Sequence, residues 1–355
     1  MPVTVLAAGD HFVLSSLLAD AVRAEAPDVE VRELTLPWPH EPFGRVGEVD
    51  EASGTEEEIV EALQGVQVCV TEMAPLTEKV LDACPDLRLF CVSRGGPVNV
   101  NVDAATRHGV AVTFAPGRNA AATAEHSVAL ILAAARRIPE VHNDLRAGRW
   151  RGDYYAYDNC GLEMDGTTVG LVGCGAVGSR VARALAALDA RVVFHDPYVP
   201  DDLLPGIATK VDLDELLRTS RVVSLHARVT DETRGMIGRA QIGAMAPGSV
   251  FVNCARGALL DYAAVNDALR SGHLFGAGFD VFEPEPPPSG SPLLELPNVV
   301  VTPHIAGASK QTAEKAARIV AGDVGRFLRG EPLAHCANPE VLATSARTSG
   351  SDARR

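Results

Sequence analysis

Short apolar runs alternate with amphipathic stretches along most of this chain, and this alternation restricts the possible folds strongly. Runs such as Val66–Val70 and Val222–His226 are nearly all apolar. Strands that are apolar on both faces and separated by helical stretches indicate a parallel sheet covered by helices on both sides. The pattern runs through the first third of the chain and restarts at Thr168, so the sequence predicts an α/β protein with two doubly wound parallel-sheet domains.

Length and charge exclude several classes of protein. The chain has 355 residues, more than one compact core usually holds, and its 46% hydrophobic and 22% charged residues are ordinary for a globular protein. The net charge of −14, with no basic block, argues against nucleic acid as a partner. The longest apolar run, Val128–Ala135, is far below the roughly 20 residues of a membrane span, so we expect no membrane partner.

The cysteines predict a reducing environment. There are seven, none in a Cys-x-x-Cys pair and most in apolar runs, which is typical of buried, reduced thiols rather than of a metal site or a disulfide framework. The N-terminal residues have no basic segment and resemble a first strand, so a signal peptide is not expected. Together these features favour a cytoplasmic protein that holds no metal.

A glycine motif joins a predicted strand to a predicted helix and indicates dinucleotide binding. Thr168–Gly178 reads TVGLVGCGAVG, with a helical stretch directly after it. Gly173 would allow the tight turn, Gly175 the close approach of a pyrophosphate, and Gly178 the packing of helix against strand. Asp196 ends the next strand, 23 positions after Gly173, where it would bind the adenosine ribose. No Arg or Lys adjoins Asp196, which favours NAD over NADP.

Three later strands deliver polar side chains to the edge of the sheet where ligands bind. Arg256 follows one apolar strand, Glu285 lies in the loop after the next, and His304 follows a third. Arg256 would hold a substrate carboxylate or carbonyl oxygen, His304 would transfer the hydroxyl proton, and Glu285 would orient His304 and raise its pKa. Each has an ordinary alternative: a helix cap, a solvated loop acid, or a histidine bonded within the core. Their joint position after a nucleotide motif favours hydride transfer on a 2-hydroxy or 2-keto acid.

The segments ARG at Ala255–Gly257, DVFEPEP at Asp280–Pro286 and PHIAG at Pro303–Gly307, with GCGAVG before them, resemble the D-isomer-specific 2-hydroxyacid dehydrogenases. The resemblance implies a flavodoxin-like substrate domain, a Rossmann NAD domain and a cleft between them. The substrate domain would comprise residues 1–118 and 303–335, the NAD domain residues 119–302, and residues 336–355 would form a disordered tail.

The resemblance also implies the roles of individual residues. Arg256, Glu285 and His304 match the catalytic residues of that family, and Asp280 matches the acid that holds the nicotinamide carboxamide. The expected cofactor contacts, which include the motif residues, are Gly173, Gly175, Ala176, Val177, Gly178, Asp196, Cys254, Ala255, Asp280 and Gly307. Arg94, Gly95 and Gly96 would join Arg256 in binding an anionic substrate, although Arg94 could instead be the partner of a surface ion pair.

An aromatic segment, Trp150–Asn159, contains three tyrosines and a tryptophan in ten residues. It could pack on its own domain or on a second subunit. Because relatives are commonly homodimers joined through the NAD domain, the resemblance favours an intersubunit arm at Trp150–Tyr157.

The preferred interpretation is an NAD-dependent D-2-hydroxyacid dehydrogenase of unassigned substrate, and three alternatives compete with it. One is a D-3-phosphoglycerate dehydrogenase of serine biosynthesis, although no regulatory domain follows the tail. Another is a corepressor-like protein that senses NAD(H), which would not need Arg256, Glu285 and His304 together. A formate dehydrogenase is disfavoured, since formate has no hydroxyl proton and such enzymes carry a glutamine in place of Glu285.

Overall fold

A computed structural model of the chain describes residues 2–38 and 44–342. These residues form two compact units. The first contains the chain up to Arg118 and the chain from Ala308 onward, and the second contains Asn119–Gly307. Residues 303–307 therefore lie in the second unit, whereas the sequence-based boundaries assign them to the first. The cause is local, because the Asp280 carboxylate accepts hydrogen bonds from the backbone of Ile305 and Ala306.

The first unit is built on a five-stranded sheet in which the strands run in the order β2-β1-β3-β4-β5 and every pairing is parallel. The strands are β1 (Thr4–Gly9), β2 (Glu30–Thr35), β3 (Val68–Thr71), β4 (Leu89–Val92) and β5 (Ala111–Phe114). The helices are α1 (Ser15–Glu25), α2 (Glu56–Ala62), α3 (Glu78–Ala83), α4 (Val102–Arg107) and, after the second unit, α11 (Lys310–Leu328).

The second unit is built on a seven-stranded parallel sheet in the order β12-β11-β10-β9-β6-β7-β8. The strands are β6 (Thr168–Val172), β7 (Arg191–His195), β8 (Ala208–Lys210), β9 (Val222–Leu225), β10 (Ser249–Asn253), β11 (Leu274–Phe279) and β12 (Val299–Val301). The helices are α5 (Ala120–Ala135), α6 (Ile138–Arg146), α7 (Gly178–Ala186), α8 (Leu213–Thr219), α9 (Arg239–Ala244) and α10 (Tyr262–Arg270).

Burial explains which strands the sequence predicts and which it does not. Every residue of β1, β3, β4, β9 and β10 is buried, as an apolar run between two helical layers requires. The edge strand β2 is mostly exposed and reads EVRELT, so no apolar run marks it. The two parallel sheets nevertheless confirm the predicted α/β class. Within residues 2–38 and 44–342, no helix combines the length and the apolar character that crossing a bilayer requires.

The segment after α11 differs from the disordered tail predicted for residues 336–355. The Asn338 side chain, 1% exposed, accepts a hydrogen bond from Val112 N (2.8 Å) and donates one to Val110 O (2.9 Å). Ala337 N donates to Val112 O (2.8 Å), so the segment is bound along the edge strand β5. Residues 343–355 of the predicted tail lie outside the described residues.

We expect Asn338→Ala to lower the free energy of unfolding by about 2 kcal/mol, because it leaves the buried N–H of Val112 and the C=O of Val110 unpaired. Urea denaturation of the variant and the wild type measures the difference. Gln311→Ala, at an exposed position of α11, is the control and should change the free energy of unfolding by less than about 0.5 kcal/mol. An Asn338→Ala protein as stable as the control would show that the segment contributes nothing to the first unit.

Candidate active site

The glycine loop of the second unit has the geometry that a dinucleotide requires. Gly173 follows β6 with a φ of +97°, and a Cβ there would lie 2.7 Å from the backbone of His226 and Ala227. A Cβ on Gly178 would lie 2.2 Å from the carbonyl oxygen of Gly173, so strand and helix meet only because both residues are glycine. Gly175 is exposed, with nothing within 4 Å of its Cβ position, which leaves its backbone open to a phosphate beside the N-terminus of α7.

Asp196 lies directly beside this loop, after β7. One of its carboxylate oxygens accepts a hydrogen bond from Cys174 N (2.8 Å) and the other from Tyr198 N (3.0 Å). A carboxylate has about four acceptor positions, so Asp196 keeps capacity for hydroxyl donors. The structure thus brings Asp196 to the loop, and binding of the ribose stays a prediction.

His226 was not assigned a role from the sequence, yet it is the most unusual polar group near the loop. It follows β9, and neither ring nitrogen has a hydrogen-bond partner among the described residues. Desolvation of the ring lowers the pKa of His226 to about 4, so the ring is neutral at physiological pH. Its Cβ lies 3.5 Å from the Cβ position of Gly178. These features together fit a dinucleotide: a glycine loop without side chains, open backbone N–H groups, Asp196 and the unpaired nitrogens of His226.

Arg256 is carried by a tight turn after β10. The buried side chain of Asn253 holds this turn, accepting from Ala255 N (2.9 Å) and donating to Arg256 O (3.0 Å). A Cβ on Gly257 would lie 1.9 Å from Phe282 O, so the turn packs directly against the loop that carries Glu285. Asn253 is a positioning residue that the sequence does not reveal, because it reads there as the end of an apolar strand.

Glu285 and His304 form a close pair. The Nδ1 atom of His304 lies 2.6 Å from Oε2 of Glu285, and Oε1 accepts a hydrogen bond from Phe282 N (2.8 Å). The bond to Glu285 raises the pKa of His304 above its ordinary value, against the opposing effects of partial desolvation and the Arg256 charge. Burial alone would raise the pKa of Glu285, but the hydrogen bonds from His304 and Phe282 outweigh it, and the pKa lies below its ordinary value. The structure therefore brings Arg256, Glu285 and His304 together.

Asp280 is fully buried and binds the segment that carries His304. Its Oδ1 atom accepts from Thr302 Oγ1 (2.6 Å) and Ile305 N (2.9 Å), and Oδ2 accepts from Ala306 N (2.8 Å). These bonds use three of about four acceptor positions of the carboxylate. The predicted contact with nicotinamide stays a prediction.

The other predicted cofactor residues all lie in the second unit. Ala176 and Val177 belong to the glycine loop, and Ala255 to the turn that carries Arg256. Cys254 is buried, which raises the pKa of its thiol to about 12 and leaves it unreactive. Gly307 ends the unit, where a Cβ would lie 2.7 Å from the Asn119 amide. In the described part of the chain, no three His, Cys, Asp or Glu side chains are grouped as a metal site would need.

The predicted substrate residues Arg94, Gly95 and Gly96 follow β4 in the first unit. Arg94 forms an ion pair with the Glu51 carboxylate and also donates to Glu51 O (3.1 Å). Its charge is therefore largely offset, which is the ion-pair alternative considered above. The Cβ positions of Gly95 and Gly96 have open space around them. Their part in substrate binding stays a prediction.

The sequence did not predict a group of charged residues at the carboxyl edge of the same sheet. Asp10 follows β1 and accepts from Phe12 N (2.7 Å) and Val13 N (2.8 Å), and Arg118 donates to Glu72 (2.6 Å). Burial, reinforced by the Glu72 charge, raises the pKa of Asp10 to about 7. Glu72 and Arg118 lie 46 positions apart along the chain, so the sequence pattern does not associate them.

Known proteins share both the sequence pattern and the fold. Residues 128–306 match the family described as D-isomer specific 2-hydroxyacid dehydrogenase, NAD binding domain. The chain is 37% identical over 295 residues to a glyoxylate reductase of Korarchaeum cryptofilum, covering 82% of this chain and 89% of that protein. The chain belongs to the D-isomer-specific 2-hydroxyacid dehydrogenase family. This confirms the predicted family and its NAD-binding domain.

Two further relatives define the extent of the similarity. A D-3-phosphoglycerate dehydrogenase of Archaeoglobus fulgidus is 37% identical over 292 residues, which cover 82% of this chain and 55% of that protein. The chain thus spans about half the length of that relative. A crystal structure of a protein from Thermus thermophilus matches with a TM-score of 0.76 and 33% identity, covering 94% of this chain and 99% of that one.

We expect Gly175→Val to weaken NADH binding at least 10-fold, because the new side chain would lie where the pyrophosphate approaches the backbone. The thermal midpoint should stay within about 2 °C of the wild type, because the protein has open space around this Cβ position. Fluorescence titration with NADH measures the affinity. Gly243→Val, equally free of neighbours on α9, is the matched control and should bind NADH normally. Unchanged affinity in Gly175→Val would place the cofactor elsewhere.

Proposed function

We propose that this protein is an NAD-dependent D-2-hydroxyacid dehydrogenase, which interconverts a 2-hydroxy acid and NAD with the 2-keto acid, NADH and a proton. The observation that carries the proposal is the pair of His304 and Glu285, 2.6 Å apart beside the Arg256 turn, in a unit that also contains the glycine loop. A histidine held by a carboxylate is a general acid–base, and an adjacent guanidinium is suited to a carboxylate or a carbonyl oxygen.

The side chains divide the reaction between them. Bound NAD supplies the hydride acceptor. Glu285 accepts a hydrogen bond from Nδ1 of His304, which leaves Nε2 to take the hydroxyl proton in oxidation or to return it in reduction. Arg256 orients the substrate oxygens, and the Asn253 bonds hold its turn against the Glu285 loop.

The raised pKa of His304 determines how each direction depends on pH. Reduction needs the protonated imidazolium, so its rate is highest below this pKa and falls as the pH rises through it. Oxidation needs the neutral ring and rises over the same range. A pKa above the ordinary value keeps more His304 protonated near neutral pH and favours reduction there.

The substrate is proposed to be a small anionic 2-hydroxy or 2-keto acid. Relatives named glyoxylate reductase and D-3-phosphoglycerate dehydrogenase support this class. The ion pair of Arg94 with Glu51 weighs against the phosphoglycerate alternative, since it offsets a charge that a phosphate would use. The three side chains Arg256, Glu285 and His304 also argue against a sensor of NAD(H) without turnover, which has no need of a proton relay.

We also propose a homodimer joined through the arm Trp150–Tyr157. A 3-10 helix covers Gly152–Tyr155 and a second one begins at Tyr157. Trp150, Tyr155 and Tyr157 are 86%, 93% and 94% exposed. Asp144 of α6 fastens the segment by accepting from Tyr154 (2.6 Å) and from two arginines, which lowers its pKa to about 2. A fixed backbone that presents three aromatic side chains outward is suited to a second copy of the chain.

The cysteines support a reducing, cytoplasmic location. Five of the seven are buried, Cys336 is half-buried, Cys160 is exposed, and none forms a disulfide.

The proposed activity predicts turnover of at least one acid in a panel of glycerate, lactate, glyoxylate, hydroxypyruvate and 3-phosphoglycerate with NAD or NADH. His304→Gln should lower kcat on that acid by about 10²- to 10⁴-fold, the usual contribution of a positioned acid–base group. Absorbance at the NADH band measures the rate.

A second variant tests the pairing with Glu285. Glu285→Gln removes the charge that raises the pKa of His304, so the decline of the reduction rate with pH should move to lower pH. Asp267→Asn, on the exposed surface of α10, should leave rate and pH profile unchanged. A wild-type protein inactive on the panel, or a His304→Gln variant with full kcat, would contradict the proposal.

The arm predicts that a Trp150→Glu/Tyr155→Glu variant shifts the protein from dimer toward monomer, because charged side chains cannot be buried between two copies without partners. Analytical ultracentrifugation measures the mass. Tyr198→Glu changes an aromatic residue of similar exposure outside the arm and should leave the dimer intact. A monomeric wild type would exclude the proposed dimer.

A further inference from the structure

The backbone of His304 has a conformation that this residue seldom adopts. Its φ is +52°, in the left-handed region, which costs a non-glycine residue roughly 1–2 kcal/mol. Surrounding bonds must therefore maintain it. The bonds come from Asp280: its carbonyl oxygen accepts from His304 N (2.8 Å), and its carboxylate accepts from Ile305 N and Ala306 N, the next two residues.

The Asp280 carboxylate is oriented by Thr302. Strands β11 and β12 are adjacent and pair Phe279 with Val301, so Asp280 and Thr302 leave the sheet side by side. Thr302 Oγ1 donates to Asp280 Oδ1 at 2.6 Å. At 2.6 Å this bond lies at the short end of the range for a hydrogen bond between two oxygens.

His126 of α5 completes the chain of hydrogen bonds. Its Nε2 atom lies 2.9 Å from Thr302 Oγ1 and 3.6 Å from Asp280 Oδ1. The Thr302 hydroxyl has one proton and gives it to Asp280, so its oxygen must accept from His126. His126 therefore carries a proton at Nε2, and the bonds run from His126 to Thr302 to Asp280.

We propose that His126 and Thr302 are positioning residues for His304, acting through Asp280. Among the described residues, neither His126 nor Thr302 forms a side-chain hydrogen bond with Glu285 or His304. Their effect is to hold the Asp280 carboxylate where it fixes residues 304–306, so that Nδ1 of His304 stays on Glu285. The expected changes in kcat rest on the proposed function. The expected change in the pKa of His304 does not, because it can be measured without turnover.

Removing the Thr302 hydroxyl tests the proposal. Thr302→Val preserves the shape of the side chain but cannot donate to Asp280, whereas Thr302→Ser keeps the hydroxyl. We expect kcat to fall about 10- to 100-fold in Thr302→Val, since small displacements of a catalytic group have effects of this size, and to stay within about 3-fold of the wild type in Thr302→Ser. Thr209→Val, on the exposed edge strand β8, is the matched control and should behave as the wild type.

The pKa of His304 distinguishes a positioning role from a merely structural one, because a merely structural role would leave this pKa unchanged. It is measured by NMR titration of the imidazole signals of the ten histidines, with His304→Gln used to assign the signal. Loosening of the bond to Glu285 should bring this pKa back toward its ordinary value in Thr302→Val and leave it raised in Thr302→Ser. His126→Leu should act like Thr302→Val, and His126→Gln, which retains an N–H donor, should preserve the raised pKa. If Thr302→Val fails to fold, the two His126 variants carry the test.

The outcomes separate this inference from the proposed function. A raised pKa of His304 that is unchanged in Thr302→Val and His126→Leu overturns the positioning role even if the wild type is an active dehydrogenase. A wild type inactive on every acid overturns the proposed function, while a pKa that falls in those variants and is restored in Thr302→Ser still supports the positioning role.

Discussion

The carboxylate of Asp280 determines the arrangement of the candidate active site. It is fully buried, it follows β11, and it accepts three hydrogen bonds from residues that follow β12. A buried carboxylate is tolerated only when donors satisfy its oxygens, so these bonds hold the segment after β12 against the end of β11. Because two of these donors directly follow His304, that residue is held at a left-handed backbone position beside Glu285.

The local charges of this protein matter more for ligand binding than its net charge. The net charge is −14, yet the proposed reaction binds two anions. Attraction must then come from the free N–H groups at the start of α7 and from Arg256. Arg94 does not add a free cation, since Glu51 pairs with it. The neutral His226 ring beside the glycine loop fits the same requirement, because it places no further charge next to a pyrophosphate.

Much of the candidate site could be predicted from the sequence, because its parts lie in short continuous segments. The glycine spacing, the acid after the next strand, and the Arg, Glu and His at strand ends all depend on local geometry. Parallel strands bring their carboxyl ends to one edge, so a residue that directly follows a strand can be assigned to that edge without coordinates. Buried apolar strands were found for the same reason, whereas the exposed edge strand β2 was not.

The sequence by itself determined the α/β class, the position of the glycine loop and the positions of Arg256, Glu285 and His304 near strand ends. Only the tertiary structure decided the rest, because the contacts concerned join distant parts of the chain. His126 and Thr302 are 176 positions apart, and the bond that joins Val112 to Asn338, within the supposed tail, spans 226. Arg94 likewise meets Glu51 only after folding. No periodicity or spacing encodes such pairs, since each depends on which strand ends and helices the folded chain brings together.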